Sequence, residues 1–241
     1  MDAYWLGRAD YASTWALQEQ LRQRVLAGGR EVLLLCEHPP VLTLGKSADP
    51  AEVSADAATL TAHGVALVRS SRGGKVTYHG PGQLVVYPIV RLHKGLVRYI
   101  EALAAAAVAV AQNLGVAARF ERDRVGVFVG PRKLAAIGVH VTRRVTIHGL
   151  ALNVTPESTA AFRHGWFLPC GELGAEVTSL AEELDPRASQ AAELTVESVG
   201  RALRRELELR LAPLEAHEPV DPSGPLLVTT ASLLSESLFV K

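Results

Sequence analysis

The stretch from Ser71 to Pro88 limits the possible folds more than any other part of the chain. Arg72 stands beside Gly73 and Gly74, so a fixed cation is joined to backbone that can turn sharply or press against a ligand. Gly80-Pro81-Gly82 is a tight reversal. Val76 and Tyr78 before it, and Leu84-Val85-Val86-Tyr87 after it, read as strands. The plain reading is a glycine-rich β-hairpin. The functional reading is a loop that holds a ligand, and sequence further along favours it.

Around this stretch, helix and strand patterns alternate. Met1–Leu6 reads as a strand, and Tyr11–Ala27 as a helix stopped by Gly28-Gly29. Glu31–Cys36 is a short apolar run, expected to be a buried strand with Cys36 as a small core residue. Val41–Gly45 and Val65–Arg69 are further strands, with a short helix over Ala57–His63. His38, between the first of these and Cys36, either lines a pocket or caps a loop. Leu96–Leu114 is the clearest helix, closed by Gly115. Val116–Phe120 and Val125–Val129 read as strands. Lys133–Val141 and Val145–Val154 read as a strand pair turned by Thr142-Arg143-Arg144. Val177–Leu180 begins a helix, and Val196–Leu211 is amphipathic with an i, i+4 apolar stripe. The tail from Pro213 to Lys241 is proline-interrupted and then mildly apolar.

The strand pair is unusual because Ala135, Ala136 and Gly138 face Gly149 and Ala151. Small residues on facing strands leave room. Either something crosses close to the sheet there, or the pair floors a slot for a long apolar group.

Nearly half of the 241 residues are apolar and the formal net charge is zero. That is ample for a core and supplies no basic field for nucleic acid. No apolar run is long enough to span a bilayer, and no signal-peptide pattern opens the chain. Cys36 and Cys170 are the two cysteines, too few for a disulfide framework. A cytoplasmic protein with free thiols, no membrane contact and no metal is expected, as a monomer. The basic residues are nearly all arginine; the lysines are Lys46, Lys75, Lys94, Lys133 and Lys241. Lysine can exchange a proton where arginine cannot, so each interior lysine is a candidate. Cys170, between Pro169 and Gly171, sits in a turn where a nucleophile can be reached.

Three blocks carry a family resemblance: Arg72 through Leu84; Lys133 through Val139 with His148 through Val154; and Pro169-Cys170-Gly171 with Val177 through Leu180. In order and spacing they resemble the octanoyl-[acyl carrier protein]:protein N-octanoyltransferases, also called lipoyl(octanoyl) transferases or the lipoate-protein ligase B family. The resemblance implies an α/β (α+β) fold shared with biotin and lipoate protein ligases, in which a mixed β-sheet and a smaller sheet are flanked by helices. It implies a catalytic domain over residues 1–212 and a C-terminal extension over 213–241 of unreadable role. It implies transfer of an octanoyl group from the phosphopantetheine of acyl carrier protein to a lysine of lipoyl domains, those of 2-oxoacid dehydrogenases and of the glycine-cleavage H protein. It implies no bound cofactor. Carried over position by position, the nucleophile is Cys170 and its partner Lys133. Substrate binding falls on Arg72, Gly73, Gly74, Lys75, Val76, Thr77, Tyr78 and His79, on Ala136, Ile137 and Gly138, and on Gly149, Leu150 and Ala151. Lys75 replaces a glutamine common in the family, and Glu172 an apolar residue.

Thioester chemistry agrees with this assignment. A thioester is already activated, so transfer to an amine needs no ATP, and a cysteine splits it into two easier steps. Three rivals remain: an ATP-dependent lipoate or biotin ligase, a Cys-His hydrolase using Cys170 with His79 or His148, and a non-catalytic acyl-binding module.

Overall fold

A computed structural model describes residues 1–168, 175–185 and 194–212. Ten strands and six α-helices occur among them. The chain opens with β1 (Asp2–Arg8), α1 (Tyr11–Leu26), β2 (Val32–Glu37) and β3 (Val41–Leu44). It continues through α2 (Ala57–Ala62), β4 (Ala66–Arg69), β5 (Val76–His79), β6 (Gln83–Ile89) and α3 (Leu96–Asn113). Then follow β7 (Arg119–Glu121), β8 (Gly126–Val129), β9 (Arg132–Thr142), β10 (Val145–Asn153), α4 (Glu157–Ala160), α5 (Leu180–Glu183) and α6 (Val196–Leu211).

The strands form two sheets. The larger runs β1-β2-β6-β10-β9-β8-β7, and the smaller β4-β3-β5. In the larger sheet β1 and β2 are parallel and the other pairs antiparallel, so it is mixed. The expected class is therefore the observed one.

One expectation fails. The reversal at Gly80-Pro81-Gly82 closes no hairpin: β5 pairs with β3 in the small sheet, while β6 is the third strand of the large one. The turn is instead the crossing between sheets. It is pinned by Gly82 N–H donating to Glu37 (2.7 Å) and by Val154 and Thr155 N–H donating to the Gly82 carbonyl. Gly82 has φ of +79°, and a Cβ there would overlap Thr155 Oγ1, so glycine is required for both reasons.

Helices cover the large sheet unequally. On one face α3 packs against α6, and both press on Leu33, Leu35, Leu84, Val127, Leu134, Leu150 and Leu152. Buried Ala104, Ala107 and Ala111 let α3 approach closely. Gly200 does the same for α6 against Leu84, Trp5 and Leu35. Thr195 and Ser198 start α6 with a reciprocal capping box. The other face carries α1, started by Asp10 accepting from Ser13 N–H, and the small sheet.

The tail 213–241 lies outside the described residues. No helix among them is long and apolar enough to cross a membrane.

Candidate active site

A cavity of about 350 Å³ lies against the α1-side face of the large sheet. Its lining includes Arg72 through His79, Lys133, Ala136 through Gly138, and Gly149 through Ala151. Three stretches far apart in sequence are thus one surface. Cys170 lies outside the described residues. Ala175, Glu176 and Val177, where the described chain resumes, line the same cavity.

Lys133 reaches the cavity because β9 is irregular. Val127 pairs with Ala135 and Phe128 with Lys133, so Leu134 is an extra residue. Such a bulge re-aims side chains. Leu134 and Ala135 both join the helix-side core, and Lys133 falls on the face of Ala136. Strict alternation would have put Lys133 with Ala135, on the wrong side. The ammonium stands 5.2 Å from the centre of the Phe128 ring, and Arg124 covers the same ring at 4.0 Å. Gly126 makes space for this, since a Cβ there would lie 3.1 Å from Lys133 Cε. The Lys133 backbone pairs with the strand that follows the Cys170 segment: Lys133 N–H donates to Glu176 O (2.9 Å), and Thr178 N–H to Lys133 O (3.0 Å).

The glycines and alanines of the slot are small for different reasons. A Cβ on Gly138 would press on Gly73 O (3.1 Å) and Arg72 Cδ (3.4 Å), so this glycine admits the crossing loop. A Cβ on Gly149 would overlap the Val86 carbonyl oxygen and stand 2.8 Å from Pro88 Cδ, so this one admits the neighbouring strand. Ala135 belongs to the opposite core, and Leu150 is part of it too. Ala136 and Ala151, directly paired, are left to give the slot its width.

The Arg72–Gly74 loop joins the two sheets. The buried Arg72 guanidinium donates to Thr43 Oγ1 (3.0 Å from Nε), to Thr43 O (2.6 Å) and to Gly73 O (3.0 Å). Gly73 N–H donates to Val139 O (3.0 Å), and is thereby spent. Lys46 and Ser47 N–H donate back to the carbonyls of Arg72 and Gly74. Lys75 forms an ion pair with the buried Glu52 (3.5 Å).

A polar chain runs under the cavity. His79 Nδ1–H donates to Gln83 Oε1 (2.7 Å), Gln83 Nε2 to Asn153 Oδ1 (3.0 Å), and Asn153 Nδ2 to Thr178 O (2.9 Å). It ends at the residue whose N–H holds the Lys133 carbonyl. Burial first, then the nearby His38 and Arg72, pushes the His79 pKa down to about 3. His148 is likewise lowered to about 3, by burial and then by Arg72 and other cations. Both rings are neutral at pH 7. His38 proves to be a core histidine: Nδ1–H donates to Ala9 O (2.6 Å), and Nε2 accepts from Tyr87 O–H (2.7 Å).

Cys36 is fully buried, and burial pushes its thiol pKa up, with Glu37 adding to the effect. It is no nucleophile. No cluster of three metal-ligating side chains occurs among the described residues.

Tyr11, Tyr87, Phe128 and Phe162 also line the cavity, and sequence reading did not single them out. They come from four separate parts of the chain and share no local pattern. Gln83 and Asn153 sat inside the quoted motifs but drew no notice as a linked pair.

Comparison with known proteins adds four findings. Residues 10–208 match the lipoyl protein ligase A/B catalytic domain. The chain is 44% identical to the octanoyltransferase of Methylococcus capsulatus over 202 residues, covering 80% of this chain and 93% of that one. It is 40% identical to that of Chloroflexus aurantiacus over 217 residues, covering 86% and 95%. Among solved structures, the putative lipoate protein ligase Ta0514 from T. acidophilum, with bound lipoic acid, superposes with a TM-score of 0.70 at 17% identity, covering 87% of this chain and 85% of that one. At that identity the likeness concerns the fold.

Proposed function

The chain belongs to the octanoyltransferases of the lipoyl protein ligase A/B family and acts in octanoyl transfer for protein lipoylation, and from that premise we propose a cysteine–lysine route with an acyl-enzyme intermediate. Cys170 is the nucleophile and Lys133 the proton carrier. Octanoyl-acyl carrier protein is the donor, and a lysine of a lipoyl domain the acceptor. The observation that carries the proposal is the bulge in β9, which sets Lys133 on the face of Ala136. Burial of Cys36 argues against it as the nucleophile.

In the first half-reaction Lys133 Nζ takes the Cys170 proton and the thiolate attacks the octanoyl carbonyl. The C–S bond to phosphopantetheine breaks, and Lys133 returns the proton to the departing thiolate. In the second, the acceptor amine attacks the Cys170 thioester. Lys133 takes a proton from that amine and hands it to the Cys170 sulfur as the bond breaks. No net proton or ATP is consumed. Arginine at position 133 would stabilise the thiolate but could not cycle a proton. Burying six or seven methylenes over Ala136 and Ala151 contributes about 5 kcal/mol before association costs.

Intact mass after mixing with octanoyl-acyl carrier protein tests the route. One octanoyl adduct is expected on the wild type, discharged by an added lipoyl domain and absent from Cys170→Ser and Lys133→Arg. An unmodified wild type with a competent donor would sink it. An adduct forming at the wild-type rate in Lys133→Arg would remove Lys133 as the proton carrier.

A further inference from the structure

Four buried polar atoms have no hydrogen-bond partner among the described residues: Trp15 Nε1, Gln18 Nε2, Arg22 Nε and His148 Nδ1. Three of them belong to side chains that neighbour one another. Trp15 and Gln18 lie three residues apart on α1, which packs on β10, and so share a helix face. The Gln18 side-chain oxygen accepts from His148 N–H (2.8 Å), and the Trp15 and His148 ring centres are 5.9 Å apart. Arg22 belongs to the next turn, where it donates to Thr142.

The cause lies in the sheet. Counting between Leu150↔Val86 and Val145↔Arg91 sets His148 across from Pro88. Proline has no N–H to offer the ladder. The strands part there, His148 takes a φ of +59°, and its N–H turns to Gln18 instead of β6. The Pro88 carbonyl is taken by the Thr146 hydroxyl (2.7 Å). Gln18 thus spends its oxygen on the break and keeps two buried N–H donors.

Proton counting decides what fits beside them. Trp15 Nε1–H and Gln18 Nε2–H donate only, whereas His148 Nδ1 donates or accepts according to tautomer. Buried groups of this kind are met by ordered water, which takes two to four polar partners. A single water accepting from both Trp15 and Gln18 would have both lone pairs filled. Its own O–H then has to donate to His148 Nδ1, which carries no proton. The ring proton sits on Nε2, 3.0 Å from Ser71 Oγ, and Ser71 turns its hydroxyl proton to His140 Nδ1 at 3.2 Å.

We propose that one internal water, held by Trp15 and Gln18, locks His148 as the Nε2–H tautomer, and that Gln18 is thereby a positioning residue for the acyl slot. The effect reaches the slot by two short paths. Ser71 opens the loop whose next residues, Arg72 and Gly73, bridge Thr43 and Val139. His148 itself precedes Gly149. With the opposite tautomer, a bare Nε2 would face Ser71, whose hydroxyl would have to leave His140. The kinetic part rests on the octanoyl-transfer reading; the tautomer does not.

Ring 15N–1H correlation spectra of the full chain, labelled at histidine, test the first half. His148 in the wild type should be one neutral Nε2–H form, and the Trp15 indole N–H should show a cross-peak to a long-lived water. Gln18→Leu keeps the volume and removes the amide; mixed tautomers are expected, with KM for octanoyl-acyl carrier protein raised about tenfold and kcat nearly unchanged. Gln18→Glu keeps an acceptor for His148 N–H but exchanges the donors for a second oxygen, and should reverse the tautomer with a similar rise in KM of about tenfold. Trp15→Phe frees one lone pair and should give a smaller rise; it and Gln18→Glu serve if Gln18→Leu does not fold. An Nδ1–H wild type overturns the proposal, as does an unchanged KM in a variant whose tautomer has shifted. A wild type with the Nε2–H form but no adduct at Cys170 would retire the acyl-enzyme and leave the tautomer standing.

Discussion

The two faces of the large sheet are built from alternate residues of the same strands, yet they obey different rules. The face under α3 and α6 is packed almost wholly with apolar side chains. The face toward α1 and the small sheet buries Gln18, Arg72, His79, Gln83, His148 and Asn153. Apolar packing on the first face is non-directional, so volume decides it. Buried polar groups on the second cost free energy unless each finds a partner, so geometry decides it. The cavity lies on the second face because only directional contacts hold a backbone open.

Substitutions should separate the faces. The largest loss is expected from Gly149→Val, whose side chain would enter the Val86 carbonyl and Pro88 ring. A cost above about 3 kcal/mol should appear in urea unfolding, with little folded protein left to assay. A stable, active Gly149→Val would mean that the strands part more easily than the structure indicates. Leu103→Ala, fully buried on the other face, should cost about 3 kcal/mol through cavity formation. The surviving folded fraction should keep its KM, since Leu103 does not line the cavity. A shifted KM would show that the faces are coupled.

Acid should attack the polar face selectively. His79 and His148 have pKa values of about 3 when folded, against 6.5 for an unperturbed ring. The unfolded chain therefore binds these protons first, and stability falls as pH drops from 6.5 toward 3. Each histidine contributes at most about 1.4 kcal/mol per pH unit. Denaturant midpoints between pH 7 and 4 measure the slope, and His79→Gln should flatten it. A flat wild-type profile would mean that the rings are not held neutral. The smallest effect belongs to Ala136→Val, which narrows the slot. It should favour shorter acyl donors over octanoyl by about tenfold, near 1.4 kcal/mol. Equal loss for all chain lengths would place the acyl chain elsewhere.

Legibility followed the same division. The helices over residues 11–26, 96–113 and 196–211, and the pair β9–β10, were readable because apolar period and stop signals are local. The turn at Gly80-Pro81-Gly82 was readable as a turn but not as a crossing, because whether two strands pair depends on partners supplied by β2 and β3. Gly138 and Gly149 stood out as small, but their cause did not. Each yields to backbone from a distant stretch, Gly73 in one case and Val86 with Pro88 in the other. Lys133 was singled out by residue type and motif, against an alternation that pointed it away from the slot.

By itself, then, the sequence determined the elements, the aliphatic core, the family blocks and the residue types that could do the chemistry. These depend on neighbours a few positions away and on composition. Tertiary structure alone decided which side of the sheet Lys133 serves, and that His38, His79 and His148 are buried with their pKa values pushed down. A one-residue bulge inverts every side chain on one side of it, and burial changes a titration without changing a single neighbour in the chain.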